Sequence, residues 1–74
     1  MGYDYIYTIN WYRYGEKTPH TTMSYLKFKH CEWATKKSDD PENFYVCIVK
    51  SLEHYDSNEY QSAVNNSKIA DKDM

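Results

Sequence analysis

Residues 38–58 read SDDPENFYVCIVKSLEHYDSN, and whether the middle of this stretch is a helix or a strand decides the fold. The run Phe44–Val49 is β-branched and aromatic, the composition of a buried strand. Its entry argues the other way. Asp40 at an N-cap, Pro41 at the first helical position and Glu42 in the first turn each suit the free amides and positive dipole of a helix start. Phe44, Cys47, Ile48, Leu52 and Tyr55 then recur at i, i+3, i+4, i+8 and i+11, which is a helical stripe. Capping and stripe agree, so the sequence predicts a helix over residues 44–52.

Upstream, residues 3–14 read YDYIYTINWYRY, with six rings in twelve positions: Tyr3, Tyr5, Tyr7, Trp11, Tyr12 and Tyr14. Alternation with β-favouring residues makes this a strand. Its odd positions, Tyr5, Tyr7, Ile9 and Trp11, form the inward face. Gly15 to His20, GEKTPH, is a turn, because Pro19 cannot donate to a ladder and glycine and proline punctuate it. Thr21–Lys29 is the returning strand, with a change of parity at Leu26 and Phe28 that suggests a bulge. HCEWATKKS, residues 30–38, is one or two helical turns or an ordered loop. EYQSAV, residues 59–64, reads as a third strand laid back on the hairpin, and the polar segment 65–74 as a frayed tail. The expected fold is a single α+β domain spanning residues 1–74, with its core in about residues 3–64: a small antiparallel hairpin, or a three-stranded sheet, packed against one main helix.

Seventy-four residues bury only roughly 60% of the surface that their unfolded chain exposes, so the core is small. The chain is 41% hydrophobic and 18% aromatic, with nine tyrosines against two phenylalanines. A tyrosine hydroxyl needs a partner when buried, which favours half-buried sheet faces and contact surfaces over a dry interior. Net charge is −2, and Lys27, Lys29, Lys36 and Lys37 are offset by Glu32, Asp39, Asp40 and Glu42. That balance supplies little of the positive field on which nucleic-acid affinity rests. No apolar signal peptide and no membrane-length segment is legible, so a reducing cytoplasm is expected, with Cys31 and Cys47 as ordinary buried thiols.

Catalytic chemistry is sparse. Two glycines, Gly2 and Gly15, cannot build a phosphate-cradling loop or a dinucleotide fingerprint. His20, His30, Cys31, Cys47 and His54 lack the closely spaced pairs of a structural zinc site. A histidine in a turn or near a helix end is more often solvated or dipole-stabilised than a general base. The expectation is no enzyme, no metal and no cofactor. One helix can cover Tyr5, Tyr7, Ile9 and Trp11; Tyr12, Tyr14, Tyr45 and Tyr60 are left over. Surplus rings can be a solvated β-face, a protein-binding surface, or a platform for single-stranded bases.

Three segments in order, INWYRYG, CEWATKK and CIVKSL, resemble the Dmd-type antitoxins of T-even bacteriophages. The likeness covers roughly residues 5–55. It rests on Trp11-Tyr12 at the end of the first strand, Trp33-Ala34-Thr35 after the second, and Ile48-Val49-Lys50-Ser51-Leu52 in the main helix. It implies a small phage protein that occupies the groove of a host RNase toxin of the RnlA or LsoA type, in the cytoplasm of the bacterial cell. It also implies Trp33 as the interface tryptophan, with Tyr45 beside it. The chain departs from the family pattern at Tyr45, which stands for a polar residue, in the additional SDDP, and in its longer tail. The partner-binding residues expected are therefore Trp33, Tyr45, Trp11 and Tyr12. The partner is a host protein, with neither nucleic acid nor membrane as the main ligand. The alternative is a single-stranded nucleic-acid-binding module using sheet tyrosines, whose affinity would fall steeply with salt. A tryptophan beside alanine in a short linking segment also serves commonly as a plug over the core.

Overall fold

The computed structural model describes residues 2–74 and is an α+β fold: a three-stranded antiparallel sheet and two helices. The aromatic stretch is the central strand, β1, Tyr3–Arg13. β2, Thr21–Tyr25, returns beside it with Tyr25 opposite Tyr7 and Thr21 opposite Trp11. Gly15 takes a φ of 90° in the connecting turn, a conformation that a side chain would strain. The Glu16 N–H donates to the Arg13 carbonyl there at 3.0 Å.

β2 stops four residues short of Lys29. The Leu26 N–H turns out of the sheet and donates to the Ser67 hydroxyl at 2.8 Å. Phe28 then opens helix α1, Phe28–Lys36. The change of parity at Leu26 and Phe28 thus marks a strand end rather than a bulge.

Residues 44–52 are strand, not helix. β3, Phe44–His54, pairs antiparallel with the whole of β1, from Arg13 opposite Phe44 to Tyr3 opposite His54, without a bulge. The apparent capping residues do a different job. Asp40 accepts two hydrogen bonds from the Asn43 side-chain amide, at 2.8 and 3.0 Å, while its carbonyl accepts from the Asn43 N–H at 3.3 Å. Asp, then Pro, then a closing N–H three residues on is equally the chemistry of a β-turn. With β1 offering eleven residues of unpaired backbone, the aromatic and β-branched run completes that ladder rather than its own helix.

The third strand expected at residues 59–64 and the frayed tail at 65–74 are together helix α2, Asn58–Asp73. Ser57 is its N-cap and accepts from the Tyr60 N–H at 3.1 Å, with Glu59 in the first turn. Ala63, Ser67 and Ala70, at spacings of four and three, are its buried stripe. Their small side chains let the helix sit close along β2, where Asn66 donates to the Ser24 carbonyl at 3.1 Å.

The main core cluster lies on one side of the sheet. Ile9 is fully buried with Tyr25 of β2, Cys31 of α1 and Ala70 of α2, and Tyr7, Trp11, Trp33, Ala34 and Ile48 pack around them. Tyr5, expected in this core, is half exposed and stands instead under the Lys50 ammonium, 4.5 Å from its ring centre. The helices are locked to each other at their ends. The buried His30 ring donates from Nε2 to Asp71 at 2.7 Å, the Trp33 indole N–H donates to Asp73 at 3.1 Å, and Lys37 pairs with Asp73. Ile6, of opposite parity to Ile9, is also buried. The first half of α2 lies at that end, where burial, and then the Asp4 carboxylate, raise the Tyr60 pKa. Beyond Ile6 the second face of the sheet is uncovered: Tyr45, Cys47 and Val49 are all exposed.

Candidate protein-binding surface

The ladder register decides which rings share a face. Tyr12 stands opposite Tyr45 on the uncovered side, and the two rings stack with centroids 5.1 Å apart and planes 12° apart. Tyr14, just past the end of β1, leans on the same Tyr45 ring at 5.3 Å. Its N–H donates to the Asn43 carbonyl at 3.2 Å, which extends the ladder beyond β1 and fixes the patch to the sheet. Tyr45 is 41% and Tyr14 61% exposed. Three rings therefore form a rigid, amphipathic patch that continues along the strand into Cys47 and Val49.

The expected site residues fall in two places. Tyr12 and Tyr45 come together as described. Trp11, one residue from Tyr12, points to the opposite face by strand alternation. There it lines a shallow cavity of ≈ 420 Å³ with His20, Met23, Asp39, Asp40 and Phe44. Trp33 is on the covered side as well: half-buried, edge-on to Tyr25 at 6.4 Å, with the Lys37 ammonium 5.0 Å from its ring centre. Its indole is committed to Asp73, so its surroundings are those of a plug over the core. Tyr14 was recognisable as a surplus ring, but its place beside Tyr45 depends on residues 43–45 continuing the ladder. Tyr60, the remaining surplus ring, packs edge-on against Tyr55 at 4.9 Å, away from the patch.

The electrostatics of the open face are simple. Its side chains are Asp4, Ile6, Thr8, Asn10, Tyr12 and Tyr14 along β1, Thr22 and Ser24 on β2, and Tyr45, Cys47, Val49, Ser51 and Glu53 on β3. Two are carboxylates and, among the described residues, none is lysine or arginine. Arg13 and Lys50 lie on the other side, over Phe44 and over Tyr5 and Tyr7.

Other reactive groups are dispersed. His20 sits by Phe44, His30 is buried against Asp71, and His54 packs edge-on to Tyr3 while its Nδ1 accepts the Asp56 N–H. Among the described residues no three His, Cys, Asp or Glu side chains gather closely enough to hold a metal ion. Both thiols are free. Cys31 is buried, which pushes its pKa up to about 11, whereas Cys47, expected to be buried, is exposed because it faces the uncovered side of the sheet. Among the described residues no helix is long and apolar enough to cross a membrane. Comparison with known protein families, curated proteins and solved structures finds no match.

Proposed function

We propose that the chain is a small non-enzymatic inhibitor that binds and blocks a host protein, in the manner of a phage antitoxin directed at an RNase toxin in the bacterial cytoplasm. One observation carries this reading: the stacked Tyr12–Tyr45 pair with Tyr14 beside it, on the part of the second sheet face that lies uncovered beyond Ile6. Tyrosine presents a large area with little rotamer freedom to lose, and rings of this kind supply a disproportionate share of binding energy at protein interfaces. The pair is held by the ladder before any partner arrives, which lowers the cost of association. Tyr12 and Tyr45 are the anchors in this reading, with Trp33 supporting the fold beneath them rather than contacting the partner.

The runner-up is single-strand binding by base stacking on the same rings. The charge of the face argues against it, since a polyanion would meet Asp4 and Glu53 and, among the described residues, no lysine or arginine.

The test is inhibition of a purified RnlA- or LsoA-type RNase toxin. RNA cleavage is expected to stop at a stoichiometric amount of the wild-type chain, and to persist with Tyr12→Ala/Tyr45→Ala at equal folded concentration. Undiminished cleavage at a large excess of wild type would remove the toxin as target. Retention of labelled single-stranded RNA by the chain itself, lost as salt rises, would favour the runner-up.

A further inference from the structure

β3 is an edge strand whose outer side carries no ladder among the described residues. The bonds at the two ends of its pairing with β1 show which of its groups are free. The Tyr14 N–H donates to the Asn43 carbonyl, and the Tyr55 N–H donates to the Gly2 carbonyl at 2.7 Å. Alternation between these ends turns the odd-numbered backbone groups of β3 toward β1. Phe44, Val46, Ile48, Lys50 and Leu52 therefore direct their N–H and C=O groups outward, one donor and one acceptor each.

Nothing defends this edge in the usual ways. It runs for eleven residues without proline or bulge, and its charges, Lys50 and Glu53, stand toward one end. Val46, Val49 and Leu52 are 38%, 44% and 54% exposed along it. Protein edges of this length and apolarity are normally blunted or paired.

We infer that β3 pairs edge to edge with β3 of a second copy of this chain, antiparallel about a two-fold axis at Ile48, making a continuous six-stranded sheet. The register follows from three observations. A two-fold between antiparallel strands keeps each side chain on its own face, so residues of like parity meet. Centring on Ile48 pairs every outward group from Phe44 to Leu52. Centring on Val49 would call on the His54 carbonyl, which already accepts from the Ser57 N–H at 2.9 Å.

With Ile48 at the centre, the half-exposed Leu52 meets Phe44 of the other copy, Ile48 meets Ile48, and Cys47 meets Val49. Lys50 faces Val46, and no like charges stand opposite. A second copy fits this edge because its apolar groups meet one another and no like charges are brought together. The assembly also sets both tyrosine patches on one face, about 20 Å apart along the strand direction. The inference does not depend on the proposed inhibitor role.

Sedimentation equilibrium over about 1–200 μM should show a monomer–dimer equilibrium for the wild-type chain. Val46→Lys opposes two lysines across each half of the interface, and Val46→Glu opposes a glutamate to Lys50 instead. The glutamate variant should dimerise roughly tenfold more tightly than the lysine variant, from charge pairs repeated twice per dimer. Both remove the same valine, so their difference isolates the pairing. Mild oxidation gives a second readout. Val49→Cys sets a thiol opposite Cys47 of the other copy, at the ≈ 4.5 Å of a non-hydrogen-bonded pair, and should cross-link. Cys47 alone, at a diagonal of about 7–8 Å from its copy, should not. A wild-type chain that stays monomeric throughout, or lysine and glutamate variants of equal affinity, would overturn the inference.

Discussion

The two faces of this sheet come from one strand and differ in what holds them. On the covered face, Ile9 is closed in by Tyr25, Cys31 and Ala70, and the helices above it are fastened by His30–Asp71 and by Trp33 and Lys37 at Asp73. On the open face, Tyr12 and Tyr45 hold mainly to each other and to Tyr14. The Cα extents of 40 × 28 × 15 Å express the same asymmetry, since a sheet covered mainly on one side is thin. Stability therefore belongs to the covered face, and the open face is available for contact.

The sharpest way to break this division is to empty one face and compare it with the other. Ile9→Ala removes a fully buried side chain and should cost about 3 kcal/mol, lowering Tm by at least ~10 °C in a chain of this size. Val49→Ala, on the exposed strand behind, should cost less than about 1 kcal/mol. Thermal and urea unfolding followed by circular dichroism measure both. Equal losses would mean that the open face is a second core.

Next in size is the join between β2 and α2. Ser67→Ala leaves the Leu26 N–H without its acceptor in a partly buried position, at a cost of about 1–2 kcal/mol. The lost bond spans 41 residues of sequence, so the loss should appear as weaker hydrogen-exchange protection along α2 as well as a lower urea midpoint.

That join also bears on what the sequence could disclose. α+β architecture, the hairpin and the period-two reading of β1 were legible, because alternation and turn chemistry are local. The helix at 44–52 was misread because Asp40-Pro41-Glu42 suits a helix start and a β-turn equally. The choice was made by a partner strand 30 or more residues away in sequence, Arg13 opposite Phe44 and Ile9 opposite Ile48. α2 was missed for a different reason. Its buried stripe is Ala63, Ser67 and Ala70, too small to register as an apolar face, although Ser57 and Glu59 were already the signature of a helix start. For the candidate site, the surplus of tyrosines was legible, and Tyr12 and Tyr45 were named from it. That Trp11 faces away from Tyr12 was legible too, since alternation in β1 already turned it inward; that Tyr45 joins Tyr12 while Trp33 lies on the other side was not, because it follows from β3 being a strand.

The carboxylates at the end of α2 give a smaller effect with a defined sign. Hydrogen bonding from His30 holds Asp71 below its ordinary value of 3.8, and bonding from Lys37 and Trp33 does the same for Asp73. A carboxyl whose folded pKa is depressed stabilises the fold fully above its unfolded pKa and loses that contribution as pH falls through the folded one. The wild-type chain should therefore lose stability as pH drops below about 4 more steeply than Asp71→Asn/Asp73→Asn does. Urea midpoints taken at intervals from pH 6 downward, about 0.5 unit apart, give the slope. Parallel curves would show that these ties hold geometry without coupling to protonation.

The smallest expected change in stability carries the largest expected change in binding. Tyr45→Ala removes one member of a stacked pair that is open to solvent, so its cost should be about 0.5–1 kcal/mol, and Tyr12→Ala should cost a similar amount. The double variant should fall short of the sum by roughly the stacking energy, because either single change already ends the contact. Trp33→Ala is the instructive contrast. It opens the core beside Tyr25 and removes the indole bond to Asp73 and the ring under Lys37, so it should lower the urea midpoint more than either tyrosine change. If partner capture is lost in the tyrosine variants at unchanged fold, and lost in Trp33→Ala only in proportion to unfolded chain, the binding energy resides on the open face. If Trp33→Ala abolishes capture while the tyrosine variants keep it, the contact surface is the helix-covered side and the stacked rings are a solvated ornament of the strand.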